Sequence, residues 1–107
     1  MSKYLLQASY KAEGVKGLLS EGGSSRAAAV KKALKSAGGK LESFYFAFGE
    51  SDVYLICEAP DNATMAAIAL NIAASGIVNI KTTVLLTAEE IDSAAQAKAP
   101  SYRAPGQ

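Results

Sequence analysis

The amino-acid sequence predicts an α+β domain of the ferredoxin-like sandwich type, βαββαβ, and three features lead to this prediction. The hydrophobic pattern runs strand, helix, strand, strand, helix, strand, with a short helix after the last strand. Residues 49–52, Gly-Glu-Ser-Asp, form a turn short enough to fold the two central strands into a hairpin. Right-handed crossovers then place both main helices on one face of a four-stranded antiparallel sheet in the order 4-1-3-2.

The first third of the chain predicts one strand and one helix. Residues 4–10 combine aromatic and aliphatic side chains in a short run, which is typical of a strand. Residues 11–24 contain four glycines and are predicted to be irregular. Ser24 or Ser25 is expected to cap a helix over residues 26–37, where apolar residues recur at helical spacing until a pair of glycines ends it.

The two central strands, residues 41–48 and 53–58, alternate between two faces. One set of alternating apolar residues is predicted to lie beneath the helices: Phe44, Phe46, Phe48, Val53, Leu55 and Cys57. Cys57 is the single cysteine, and the chain has no histidine to activate it. A buried, inert thiol is therefore predicted.

A second helix is predicted over residues 62–75, with Asp61 as its cap and Gly76 as its terminator. This helix is apolar almost all round, so it should be covered on more than one side. A fourth strand is predicted over residues 78–86, which are rich in Val, Ile, Thr and Leu.

The C-terminal part predicts a short helix followed by a tail. Thr87 and Glu90 have the spacing of a capping box, so Thr87 should begin a helix that runs to about Ala97. Residues 1–97 are predicted to form one domain and residues 98–107 a mobile tail.

The composition restricts the possible functions. The chain has 107 residues, of which 50% are hydrophobic and 20% charged, and its formal net charge is +1. Near-neutral charge gives no reason to expect a nucleic acid or a membrane surface as partner. The absence of histidine removes the usual near-neutral acid–base group and the commonest transition-metal ligand, so we predict no metal site and no cofactor. Neither a secretory signal nor a bilayer-spanning run is recognisable, and a cytoplasmic location is expected.

The sheet face opposite the helices is predicted to carry a mixture of side chains: Gln7, Tyr45, Ala47, Tyr54, Ile56, Glu58 and Lys81. This mixture is too apolar for a patch in water and too polar for a closed core. It fits an interface between copies of the chain, or a ligand cavity between sheet faces or at the sheet rim. We favour the interface and predict a homo-oligomer that assembles through this sheet face, through the apolar second helix, or through both. Glu58 and Lys81 are expected to form a cross-strand pair or a solvated face.

Several segments resemble proteins of the GYD-domain family. The matching stretches are residues 38–45 (GGKLESFY), 49–53 (GESDV), 58–61 (EAPD) and 82–90 (TTVLLTAEE). The resemblance covers residues 4–91 and implies a small ferredoxin-like protein similar to dimeric α/β barrels, with no particular activity. One position departs from the family pattern. Ser51 stands where the family has the tyrosine of its name, whereas Gly49 and Asp52 keep the glycine and the aspartate.

A small-molecule site is predicted at one edge of the sheet. The ends of strands one and two and the start of strand three share this edge, and the loop over residues 13–26 can close over it. The residues expected to bind are Tyr10, Lys11, Arg26, Tyr45 and Asp52. They offer donors, a carboxylate and positive charge to a small anionic or carbonyl-bearing ligand. The alternative is that loops simply meet at this edge and that Asp52 bonds only within its own turn.

Three functions fit these observations. A small homo-oligomeric module that binds a small organic molecule is narrowly favoured. The first alternative is a cofactor-independent enzyme of the dimeric α/β-barrel type, an oxygenase or isomerase, in which tyrosines and a carboxylate replace histidine as proton-handling groups. The second is a structural assembly protein. A deep apolar cavity without convergent ionisable groups would favour the binding module.

Overall fold

A computed structural model describes residues 1–98 and 101–107 of the chain. Within these ranges the elements follow in the order β1 (Ser2–Tyr10), α1 (Ala12–Glu21), α2 (Gly23–Ser36), β2 (Lys40–Phe46), β3 (Val53–Ala59), α3 (Asn62–Ala74), β4 (Val78–Leu85) and α4 (Ala88–Gln96). The strands form one antiparallel sheet in the order β2-β3-β1-β4. The predicted ferredoxin-like architecture and strand order are confirmed.

One end of the sheet is closely packed and holds half of the buried core. At this end Tyr4 of β1 lies opposite Cys57 of β3, and both are fully buried with Met65 of α3. The Tyr4 hydroxyl donates a 2.6 Å hydrogen bond to Asn62 Oδ1, so its one polar group is satisfied. The Cys57 and Met65 sulfurs lie 3.9 Å apart. We call this the closed end of the sandwich.

The two long helices lie over opposite edges of the sheet. Helix α2 packs on the edge strand β2, whereas α3 packs chiefly on the other edge strand, β4. Contact between α2 and α3 is almost absent. Because β1 and β3 are the central strands, the end of their helix-facing side away from Tyr4 lies between the two helices, where its buried side chains border a cavity. We call this the open end.

The segment predicted to be irregular is helical, so that prediction is wrong. Helix α1 forms despite its glycines because tertiary contacts hold it. The Lys11 N–H donates a 2.9 Å bond to the Ile77 carbonyl, which ties the start of α1 to the start of β4. Gly14 is buried against the same carbonyl, and a Cβ there would come within 2.8 Å of the Ile77 oxygen. Glycine is thus required by a close backbone approach rather than by a turn.

Two further predictions need correction. Helix α2 begins at Gly23 with Gly22 at the N-cap position, without a side-chain cap from Ser24 or Ser25. Strand β2 ends at Phe46, because the Ala47 N–H already donates to the Asp52 carbonyl and starts the turn; Phe48 is therefore fully exposed instead of lying in the core. Leu70 of helix α3 is 70% exposed within the chain, so the predicted cover of this helix on more than one side stays a prediction about a second copy.

The predicted caps of the last two helices are confirmed. The Asp61 carboxylate accepts from the Thr64 N–H at 2.8 Å, and Thr87 forms a complete capping box with Glu90. Helix α4 has no buried residue.

The radius of gyration of the chain is 17.1 Å, compared with about 13 Å for a compact domain of about 100 residues. The predicted mobile tail begins at residue 98; residues 99–100 lie outside the described part of the chain.

Asp52 joins the hairpin to the central strand at the open end. Its carboxylate accepts a 2.8 Å hydrogen bond from the Tyr10 N–H, and its own N–H donates to the Ala8 carbonyl at 2.8 Å. Its carbonyl accepts from the Ala47 N–H at 2.8 Å. The first two bonds extend the pairing of β1 and β3 beyond the last regular pair, Ala8 with Val53, and the third closes the hairpin between β2 and β3.

Replacing Asp52 should destabilise the fold more than replacing its exposed neighbour Glu50. Asp52→Ala leaves the Tyr10 N–H without its charged acceptor, which costs about 1.5–3 kcal/mol. Glu50→Ala is the matched control, and its effect should stay within about 0.5 kcal/mol. Urea unfolding of both variants measures the difference. Equal midpoints for the two variants would show that the Asp52 carboxylate does not hold the strand end.

Candidate functional site

The open end contains a cavity of about 420 Å³ between the helices and the sheet. Its floor consists of apolar side chains from the central strands and β4: Leu6, Ala8, Val53, Leu55 and Ile80. Phe44 of the edge strand adds an aromatic ring to the lining. Small-molecule sites in proteins are concave, mostly apolar and typically about 300–1,000 Å³ in volume. The cavity at the open end has the size and character of such a site.

The walls of the cavity are built from small and medium-sized residues. Helix α2 contributes Ala29 and Ala33, and α3 contributes Ile68 and Ile72. Helix α1 presents Gly14, Gly17, Leu18 and Glu21, which lie on one helical face because they are spaced three, four and seven residues from the first. Gly17 would place a Cβ in open space, with no atom within 4 Å. The missing side-chain volume on α1 and α2 therefore leaves the room that the cavity occupies.

Polar groups gather where β1, α1 and α2 meet. Tyr10, Glu13, Glu21 and Arg26 all line this part of the cavity. Arg26 Nη1 lies 3.4 Å from Glu21 Oε1, and both side chains are partly exposed. Burial raises the pKa of the Tyr10 hydroxyl; the nearby positive charge of Arg26 opposes this effect, while Asp52 and Glu21 add to it. We call Tyr10, Glu21 and Arg26 the polar mouth.

The structure brings together only some of the residues predicted to bind a ligand. Tyr10 and Arg26 line the cavity. Asp52 lies behind Tyr10, with its carboxylate engaged by the Tyr10 N–H. Lys11 is exposed at the N-cap of α1. Tyr45 is 71% exposed on the other face of the sheet, where it pairs with Tyr54.

Sequence reasoning missed the cavity residues of α1. Glu21 and the glycine pair at positions 14 and 17 were hidden in a segment predicted to be irregular. A signal was present, because Gly14, Leu18 and Glu21 recur at helical spacing. The glycines obscured it, since they lower helix propensity by about 1 kcal/mol each.

The sheet face opposite the helices, which we call the open face, carries one row of polar and aromatic residues across all four strands. Tyr45 pairs with Tyr54, Tyr54 with Gln7, and Gln7 with Lys81. The next row along the strands contains Ser43, Ile56, Leu5 and Thr83. No helix of the described chain packs on this face. The predicted mixed surface is confirmed, whereas its role as an interface stays a prediction.

Two other predicted features have different outcomes. Cys57 is fully buried, and burial raises the pKa of its thiol to about 11, so the predicted inert thiol is confirmed. The predicted pair of Glu58 with Lys81 is not formed. Glu58 lies opposite Lys3, and Lys81 lies opposite Gln7. The Lys3 ammonium instead binds Glu42 at 2.6 Å.

A second, more polar cavity of about 350 Å³ lies beside the hairpin turn. It is lined by Ser51 and by residues of the two adjacent strands, among them Gln7, Asn79 and Lys81. Ser51 is only 7% exposed, although its side chain is small. Because Ser51 lines the second cavity, a larger side chain at this position can extend into that space.

Two kinds of feature are absent from the described residues, 1–98 and 101–107. No three His, Cys, Asp or Glu side chains among them are grouped so that they could hold a metal ion. None of the helices in these ranges is long and apolar enough to cross a bilayer.

Comparison with known proteins identifies a family but no single relative. The family model described as the GYD domain matches residues 4–95, which is most of the chain. No curated protein and no solved structure matches the chain significantly. The matched range includes β2, β3 and β4 in full, β1 from Tyr4 onward, and every residue of the polar mouth.

The second cavity predicts that Ser51→Tyr is tolerated. The ring can enter the space beside Gln7 and Lys81, so the free energy of unfolding should change by less than about 1 kcal/mol. Val53→Tyr is the matched control: Val53 is 2% exposed, and overpacking there should cost about 1–3 kcal/mol or more. Thermal or urea unfolding distinguishes the two. A large loss with Ser51→Tyr would mean that the turn requires the small side chain.

Proposed function

We propose that this chain, which belongs to the GYD-domain family, is a homo-oligomeric module that binds a small organic molecule in the cavity at the open end. The observation that carries the proposal is the apolar space between two helices that barely contact each other. This space is a groove with an opening to solvent, since Gly17, Ala29 and Ala33 of its walls are exposed. An apolar groove of about 420 Å³ over the central strands is best explained by an occupant with an apolar body.

Two features support binding over catalysis as the role of the cavity. The floor and both helical walls are apolar, and the ionisable groups stand at one side only. Tyr10 is partly buried, and burial raises the pKa of its hydroxyl, which like that of an ordinary tyrosine is protonated at neutral pH. A protonated phenol can donate a hydrogen bond, but it is a poor general base. This arrangement favours a binding module over an oxygenase or isomerase.

The open sheet face supports self-association. Tyr54 and Ile56 are half-buried on a surface that no helix of the described chain covers, and Tyr45 beside them is exposed. Tyrosine rings contribute apolar area to an interface, while their hydroxyls keep hydrogen-bond partners. A second copy that packs sheet to sheet would cover this row by a symmetric contact. The cavity lies on the other face, so assembly and binding use separate surfaces.

Adding side-chain volume at Gly17 should weaken binding without loss of stability. Gly17→Leu places a side chain in the cavity, whereas Gly17→Ala gains the same helix propensity, about 1 kcal/mol, with little added volume. The probe is 1-octanol, a neutral molecule with an apolar body, and calorimetric titration measures its affinity. We expect saturable binding to the wild type and Gly17→Ala, and at least about tenfold weaker binding to Gly17→Leu.

Two outcomes of this titration contradict the proposed function. One is the absence of saturable binding to the wild type up to the solubility limit of the alcohol. The other is equal binding to Gly17→Leu and Gly17→Ala, which would place the alcohol elsewhere. Circular dichroism of both variants checks that helix α1 remains folded.

Assembly through the open face should be sensitive to a charge at Tyr54. The wild type is expected to be at least dimeric at micromolar concentration in sedimentation equilibrium. Tyr54→Glu buries an unpaired charge between Tyr45 and Gln7, which costs about 3 kcal/mol or more and weakens association roughly a hundredfold. Ala28→Glu adds the same charge at an exposed position of helix α2 and should leave association unchanged. A monomeric wild type contradicts the proposed assembly.

A further inference from the structure

We infer that the occupant of the cavity is an amphiphile with an apolar body and a single carboxylate, and that Arg26 and the Tyr10 hydroxyl hold the carboxylate at the polar mouth. The inference rests on the proposed function, because it concerns the ligand of the same cavity. It is carried by the position and sign of the polar groups rather than by the size of the space.

The polar groups that line the cavity are distributed on one side. Tyr10, Glu13, Glu21 and Arg26 come from the end of β1, from α1 and from the start of α2. The floor and the α3 wall are apolar apart from Ser75, which lies past the last residue of α3. A ligand that satisfies this lining has one polar end and one apolar body. A molecule with polar groups at both ends would bury one of them unpaired.

The charge of the ligand's polar end follows from the ion pair at the polar mouth. Among the described residues that line the cavity, Arg26 is the one cation. Its guanidinium has five donors, and its contact to Glu21 is a single one of 3.4 Å between partly exposed side chains. Such an exposed ion pair contributes little to stability, so a ligand carboxylate can displace Glu21 from Arg26. A carboxylate fits the guanidinium better, because it can accept two parallel hydrogen bonds.

The acidic residues of the lining do not cancel this preference. The Glu13 side chain is 73% exposed and lies 3.6 Å from Lys16 Nζ, so its charge faces water. Glu21 is the group that the ligand carboxylate would replace on Arg26. Tyr10 provides a neutral donor at the same place, because burial keeps its hydroxyl protonated. The mouth thus offers a fixed cation and a hydroxyl donor to one acceptor group.

The volume sets the size of the apolar body. A cavity of about 420 Å³ holds on the order of a dozen water-sized groups at about 30 Å³ each. Octanoate matches this size and is a suitable probe. Two molecules with the same chain and different headgroups, 1-octanol and octylammonium, separate the effect of charge from that of the apolar body.

Calorimetric titration of the three probes tests the inference. We expect the wild type to bind octanoate about tenfold or more tightly than 1-octanol, because the charge-assisted bonds to Arg26 add to the burial of the chain. Arg26→Gln should remove this preference by lowering the affinity for octanoate about tenfold, to roughly that of 1-octanol. Glu21→Gln should act in the opposite direction and tighten octanoate about threefold, since the competing carboxylate is lost. Lys35→Gln removes an exposed charge on the same helix and is the matched control.

The possible outcomes separate the inference from the proposed function. Equal affinity for octanoate and 1-octanol in the wild type, or tightest binding of octylammonium, overturns the inference while the cavity remains a binding site. An octanoate preference that survives in Arg26→Gln also overturns it. No saturable binding of any probe refutes the proposed function itself. A preference lost in Arg26→Gln and kept in Lys35→Gln confirms the inference.

Discussion

The separation of helices α2 and α3 is the constraint on which the rest of the structure depends. Each of these two helices packs chiefly on one edge strand of the sheet, so a cavity remains between them over the central strands at the open end. The closed end supplies the dense packing, around Tyr4, Cys57 and Met65. Dense packing and the cavity thus lie at opposite ends of the same two central strands. The Asp52 hydrogen bonds hold the strands together where packing is weakest.

The cavity arises from side-chain volume rather than from an unusual backbone. Alanines at positions 29 and 33 and glycine at position 17 line the helical walls, where longer residues would fill the gap. Gly14 has a different role, since a close approach of α1 to the Ile77 carbonyl requires it. Helix α1 then presents Glu21 beside Arg26 and Tyr10. The same small residues that permit the close approach and the open space also make α1 difficult to recognise as a helix.

Local sequence signals were sufficient for most of the fold but for only part of the site. Alternation along β3 and the caps at Asp61 and Thr87 are decided by neighbouring residues, so the sequence predicts them correctly. Helix α1 depends on a contact with residue 77, which local propensity does not contain. Tyr10 and Arg26 were correctly placed together by the sequence, because the chain topology brings them to one edge of the sheet. Tyr45 was assigned to the same edge, but the pleat directs it to the opposite face from Tyr10.

The central claim is that a dry, accessible space lies over the central strands at the open end. Xenon-pressure NMR of the isoleucine methyl groups tests this claim directly, because xenon enters apolar cavities without needing a polar group. Ile68 lines the cavity, whereas Ile56, which is also half-buried, lies on the opposite face of the sheet. A saturable shift of the Ile68 methyls with little change at Ile56 is predicted. Equal, linear and non-saturating shifts at both residues would contradict the existence of the cavity.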